Sequence, residues 1–223
     1  MKTVFLVSFI LFVGVSCAQN NGDNNMPNTL LFKAAANNDT ISLIHAINKG
    51  ANLEFKDSKG KTALMIATYN NYIEAAKILI NAGADVNAQD HMLNSPFLYA
   101  GAEGFTEIVK LCMTANPDYR VVNRYQGTAL IPACESAHLE VIKILLEDPS
   151  YPVDHINRLG WTALLEAIIL GHGGKAYQQT VSLLIAANAD VNIADSNNVS
   201  PLQHAEQKGF KEIVQILKNA GAK

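Results

Sequence analysis

The chain carries no surplus of positive charge: 17 Lys and Arg stand against 20 Asp and Glu, for a formal net charge of −3. No basic stripe exists, so nucleic acid is not an expected partner. Cysteine is scarce, with three in 223 residues, and none belongs to a Cys-x-x-Cys pair. The six histidines include no His-x-x-x-His spacing, and no Gly-x-Ser-x-Gly elbow occurs. These gaps remove the usual sequence marks of a zinc site and of a serine nucleophile, and neither metal nor cofactor is expected. A catalytic cleft would have to be assembled from His138, His155 or His172, which lie in different parts of the chain.

Long apolar runs are also missing, apart from one at the start. In MKTVFLVSFILFVGVSCAQNN, Lys2 provides a positive head and Thr3 to Val15 a short apolar run, followed by small residues. This reads as an export signal over residues 1–18 rather than a membrane span, because the run is too short. Two cleavage schemes stay open. Ser16-Cys17-Ala18 fits cutting before Gln19, while Gly14-Val15-Ser16-Cys17 resembles a lipobox, which would make Cys17 a lipidated first residue. An exported protein is expected either way, soluble in the periplasm or tethered through Cys17. Residues 19–28 are Asn-rich and poor in apolar side chains, which predicts a flexible tether; the fold is expected from Thr29.

What the sequence has in abundance is repetition. TLLFKA (29–34), TALMIA (62–67), SPFLYA (95–100), TALIPA (128–133), TALLEA (162–167) and SPLQHA (200–205) start 33, 33, 33, 34 and 38 residues apart. Each hydroxyl at Thr62, Ser95, Thr128, Thr162 and Ser200 is placed to cap a helix. The alanines at 67, 100, 133, 167 and 205 let neighbouring helices approach closely. A second helix follows, with an apolar stripe such as Ala76, Leu79 and Ile80, matched by Val109, Cys112 and Met113. Glu74, Glu107, Glu140 and Glu212 recur at its start, where the helix dipole favours them, and this weakens any catalytic reading of paired carboxylates. Gly83, Asn116 and Asn188 suit a left-handed residue after the second helix.

Together with KGANLEF, AGADVNAQD and ANADVNIAD, and with GFTEIVKLC, AHLEVIKILL and GFKEIVQIL, these segments resemble the ankyrin repeat over residues 24–223. The resemblance implies an all-α solenoid of about six helix-turn-helix units with short β-hairpin or loop fingers, divided near 24–56, 57–89, 90–122, 123–156, 157–194 and 195–223. The family's motif His is replaced by Phe32, Met65, Leu98, Ile131, Leu165 and Gln203, so its polar network is expected to give way to apolar packing. Its turn glycine survives at Gly60 and Gly160 but is Leu93, Gln126 and Asn198 elsewhere. The stretch EDPSYPVDHIN (147–157), with Pro149 and Pro152, predicts irregular third and fourth fingers. Wet outer faces are expected at both ends, from Asn37, Asn38, Asp39, Ser42 and His45 at the front and from Glu206, Gln207, Lys208, Lys211, Gln215 and Lys218 at the back.

GHGGKAYQQ (171–179) is the one stretch that hints at a phosphate loop, and it fails the test. Lys175 is followed by Ala176 rather than Ser or Thr, and Ile169 stands where the first glycine belongs. Five residues, His172 to Ala176, are read as lengthening the turn between two helices. Cys112 and Cys134 are read as buried thiols in adjacent repeats, with a disulfide between them an open alternative.

The resemblance further implies a monomeric, non-enzymatic module that binds another protein, expected to be an envelope protein, through finger tips and the exposed end of each first helix. Carried over by position, the contact residues are Tyr69, Met92, Asn94, Arg124, Tyr125, Arg158, Leu159, Trp161, Ile169 and Leu170. Trp161, the only Trp, is the expected anchor at an exposed tip. A second expectation is a small-molecule or cofactor carrier whose pocket walls come from the 147–160 and 171–177 loops.

Overall fold

The computed structural model describes residues 25–223; the expected export signal, Cys17 and the expected tether as far as residue 24 lie outside the described residues. Six helical pairs follow one another: α1 (Met26–Asn37) with α2 (Thr40–Asn48), α3 (Ala63–Tyr69) with α4 (Ile73–Asn81), and α5 (Pro96–Glu103) with α6 (Thr106–Thr114). Then come α7 (Leu130–Glu135) with α8 (Leu139–Leu146), α9 (Ala163–Ile169) with α10 (Lys175–Ala186), and α11 (Pro201–Gln207) with α12 (Lys211–Asn219). First helices pack on first helices and second on second, so each pair touches only its neighbours, as a solenoid requires. No strand occurs among the described residues; the fingers are turns.

The local causes match the repeat. Thr62, Ser95 and Thr162 accept the amides of Met65, Leu98 and Leu165, and Ser200 forms a reciprocal capping box with Gln203. The five motif alanines are fully buried, as are Leu64, Leu79, Ile108, Ile142 and Leu145 between layers. Each such leucine or isoleucine contributes about 2 kcal/mol of transfer free energy. Gly83, Asn116 and Asn188 all adopt positive φ after the second helix, at 95°, 53° and 64°.

Several expectations are corrected. Helix α1 starts at Met26, so residues 26–28 are helical rather than tether; Pro27 in the first turn suits its fixed φ. The front is not wholly polar, because Ile41 (82% exposed) and Ile44 sit on its surface. Thr128 caps nothing: α7 begins only at Leu130, whose amide is taken by the Tyr151 hydroxyl at 3.1 Å. The irregular stretch therefore supplies the missing cap from another segment. The extra residues of the fifth repeat do not all enlarge a turn. Helix α10 has 12 residues against 9 in α4, so three of the five added residues extend the helix and two lengthen the turn. Cys112 and Cys134 are both free, which removes the disulfide. Burial pushes the Cys112 thiol up to about 12, as expected of an inert core residue.

Candidate functional site

Each of the five fingers turns on one Asp or Asn. A single side-chain oxygen of Asp57, Asp90, Asn123, Asn157 or Asp195 accepts two finger amides, two and four residues on, at 2.8–3.1 Å. The residue three after it is left-handed every time: Gly60, Leu93, Gln126, Gly160 and Asn198 have φ of 76°, 57°, 59°, 80° and 61°. The third and fourth fingers thus keep the common geometry, contrary to the irregular shape expected of them. The departure is confined to the path before Asn157, where Asp148 makes its own turn by accepting the Ser150 amide at 2.8 Å. Fingers are also tied to each other, Lys59 carbonyl accepting from the His91 amide and Tyr125 carbonyl from the Arg158 amide.

The second polar atom of the turn residue decides what each finger presents. Asp90 Oδ2 accepts from the Tyr69 hydroxyl at 2.6 Å, and Asn94 Nδ2 donates to the same hydroxyl at 2.9 Å. Lys61 lies 4.2 Å over the Tyr69 ring, and Tyr99 packs at 4.4 Å. Asp195 Oδ2 meets His204 Nε2 at 2.9 Å. A polar network therefore does exist, although the motif His is gone. Glu166 and His204 stand one residue after the old His position, while Met65, Leu98, Ile131 and Leu165 are buried there as expected.

In the fifth repeat the turn residue Asn157 donates through Nδ2 to Glu166 Oε1 at 3.0 Å. Glu166 is only 5% exposed, and its Oε2 has no hydrogen-bond partner. Burial, then the charge of Glu135, pushes its carboxyl up to about 7, a rise partly offset by the Asn157 bond. The carboxylate lines a groove cavity of about 300 Å³ between fingers and inner helices. Tyr125, Leu159 and Leu170 form its mouth, exposed by 45%, 47% and 47%, with Ile131 and Pro132 behind them. Arg124 and Arg158 pack their guanidiniums on the Tyr125 ring at 4.9 and 5.6 Å. Sequence reasoning missed Glu166 and Asn157; the recurring Asp/Asn three residues before the left-handed turn position was the sign that could have found them.

Five of the ten expected contact residues therefore gather here: Arg124, Tyr125, Arg158, Leu159 and Leu170. Tyr69 and Asn94 form a separate, internally bonded pair between the second and third repeats. Met92 stands exposed on the second finger. Trp161 is half-buried rather than exposed, its backbone locked to Asn157. Ile169 is half-buried, and its carbonyl, like that of Gly171, accepts from the Lys208 ammonium of the next repeat. That contact, and Tyr177 lying where a Cβ on Gly171 would come within 2.5 Å of its ring, accounts for the glycine-rich stretch as structure.

A larger cavity, about 700 Å³, opens between Met113–Arg120 and Asp148–His155. It takes no wall from the 171–177 turn, so the two loops expected to enclose a ligand do not share it. Nor do the histidines converge. His155 Nε2 lies 2.6 Å from the Gln126 carbonyl, His172 packs on Tyr177 at 4.6 Å, and His138 sits beside Gly104. Among the described residues no group of His, Cys, Asp and Glu is arranged to hold a metal, and no helix is long and apolar enough to cross a membrane.

Comparison with known proteins converges on the same architecture. The pattern for three copies of the ankyrin repeat matches residues 4–90 and 97–175, and that of the single repeat matches 159–196. The chain is an ankyrin-repeat protein. The ankyrin chain is 43% identical over 99 residues to the putative ankyrin repeat protein YahD of Escherichia coli (strain K12), covering 44% of this chain and 49% of YahD. It thus spans about half the length of that curated relative. Among solved structures, an ankyrin repeat domain from Acinetobacter baumannii AYE superposes with a TM-score of 0.84 at 49% identity, covering 86% of this chain and 98% of the other. EF0377, also an ankyrin repeat protein, gives 0.83 at 42% identity over 86% and 97%. Ankyrin repeats are protein–protein interaction modules and are generally non-enzymatic scaffolds.

Proposed function

We propose that this ankyrin chain is an exported, non-enzymatic and monomeric interaction module that grips another envelope protein and modulates, inhibits or protects it. It works in the periplasm, either free after cleavage before Gln19 or held to the membrane by lipidation at Cys17. The observation that carries the reading is the contrast within the fourth and fifth repeats. Their stacking positions are buried, yet Tyr125, Leu159 and Leu170 stand exposed side by side around a groove. Aromatic and apolar side chains flanked by arginine are what protein partners use as anchors. The alternative of a small-molecule carrier draws on the 700 Å³ cavity under the irregular stretch.

Affinity capture from a native envelope fraction, with the full chain against a Trp161→Ala/Tyr125→Ala double variant, tests the binding reading. The expected result is a defined protein retained by the first and lost by the second. Equal retention by both moves the contact surface elsewhere. Export is tested separately by fractionating cells that express the full chain and its Cys17→Ala form: recovery of both in the cytoplasm would end the envelope reading.

A further inference from the structure

We propose that the groove cavity of the fourth and fifth repeats is a socket for a basic side chain, lysine or arginine, projected by the partner protein and received by Glu166. This deepens the binding reading above and rests on it.

Glu166 Oε2 is a carboxylate oxygen with no donor, in a residue only 5% exposed whose other oxygen is held by Asn157. Buried carboxylates are ordinarily paired, because desolvation of an unpaired one is costly. The homologous position in the next repeat is paired: His204 meets Asp195. In the fifth repeat the matching turn residue is Asn157, whose amide satisfies one oxygen and leaves the other without a donor. Glu135, on the same cavity wall, adds a second negative charge and raises the cost further. None of the cavity-lining residues is a cation. Arg124 and Arg158 are engaged on the Tyr125 ring at the rim and form no ion pair with either carboxylate among the described residues.

The rest of the cavity fits a basic side chain along its length. Ile131, Pro132, Leu159 and Leu170 offer apolar walls for a methylene stem, and the carboxylates wait where its charged end would sit. A partner contact of this type would complete a hydrogen-bond set that the free chain leaves open. Neutral apolar side chains would fill the walls but strand the carboxylate. An acidic side chain would be repelled by both glutamates.

The test uses the full chain, isotope-labelled, titrated with N-acetyl-arginine methylamide and N-acetyl-lysine methylamide, with the norleucine analogue as an uncharged control. The expected result is saturable shifts at the amides of Gly127, Leu159 and Leu170, with dissociation constants in the roughly millimolar range. The norleucine compound should bind at least about tenfold more weakly, and Glu166→Gln should weaken the cationic probes by about tenfold. Gln keeps the acceptor for Asn157 and so preserves the local fold; Glu135→Gln gives an independent, exposed variant that should weaken them less. The ratio of the two cationic probes tells lysine from arginine. Equal binding of all three amides, absence of saturation by either cation, or indifference to Glu166→Gln would overturn the socket. Envelope capture unaffected by Glu166→Gln, alongside failed probe binding, would remove the socket while leaving the binding reading intact.

Discussion

The second and third repeats differ from the fourth and fifth in one respect that explains most of the rest. In the former, the finger closes on itself. Asp90 spends one oxygen on two finger amides and the other on Tyr69, Asn94 adds a donor to that hydroxyl, and Lys61 covers the ring. Burial, with Asp90 behind it, holds the Tyr69 phenol up to about 12, so its hydroxyl keeps the proton it donates to Asp90. In the latter, the same finger geometry is built on Asn157, and the polar chain stops at a glutamate with a free oxygen beside an open groove. Regular repeats satisfy themselves; the departing ones leave chemistry over.

The largest break in that comparison comes at Tyr151. It packs against Tyr119 at 4.6 Å, is 6% exposed, and its hydroxyl replaces the missing Thr128 cap on α7. Tyr151→Ala should cost about 4 kcal/mol in denaturant melts. Tyr151→Phe, which keeps the ring and loses the hydroxyl that accepts the Leu130 amide, should cost about 1 kcal/mol. If the two variants were equally mild, the irregular stretch would be decoration rather than a substitute cap. Next in size is the binding effect of Trp161→Ala, expected to weaken partner affinity by about 2 kcal/mol in titration calorimetry with the captured protein. Its half-buried ring makes the companion melt informative: a stability loss exceeding the binding loss would mark Trp161 as packing.

Glu166→Gln sharpens the contrast through pH. The folded chain holds this carboxyl up to about 7, above its ordinary 4.5, so the folded state binds the proton more tightly than the unfolded one. Its stabilising share is full below pH 4.5 and is lost as pH rises through 7. The groups facing it are Glu135 and the Cys134 thiol of α7, with the Asn157 amide of the finger. The full shift corresponds to roughly 3 kcal/mol, and screening at the groove mouth reduces it to about 1.5 kcal/mol. Glu166→Gln should therefore match the parent near pH 4.5 and exceed it by about 1.5 kcal/mol at pH 8 in melts read by helical signal. A flat difference across that range would mean that Glu166 keeps its ordinary ionisation.

The stack was legible because stacking is periodic: hydroxyl caps, motif alanines and left-handed Asn or Gly return at intervals of 33 to 38 residues, and all but the Thr128 cap do the same mechanical job in each repeat they occupy. The groove site was half legible. Tyr125, Leu159 and Leu170 could be placed by register, since a finger tip and a first-helix end face the same side. Glu166 could not, because its meaning depends on which Asx residue faces it and on Glu135 from the preceding repeat, a relation between layers that no single repeat contains. The Tyr151 cap was hidden for the same reason. It joins residue 151 to residue 130, across a segment where the period itself fails.

The smallest effect separates fingers by backbone alone. All five hold a left-handed residue at the fourth turn position, but only two use glycine there. Leu93 and Gln126 pay the steric cost of a Cβ at φ of 57° and 59° while their side chains remain exposed and unneeded for the turn. Leu93→Gly and Gln126→Gly should each raise stability by about 0.5 kcal/mol, the relief of left-handed strain being partly cancelled by the greater freedom of glycine in the unfolded chain. The reverse change is not symmetric. A Cβ on Gly60 would stand 2.6 Å from the His91 ring of the next finger, so Gly60→Ala must displace that ring as well as strain the turn. It should cost about 1 kcal/mol or more in the same thermal melts. Were Gly60→Ala and the two glycine variants all neutral, the fingers would be loose loops, and the contrast between closed and open repeats would lose its scaffold.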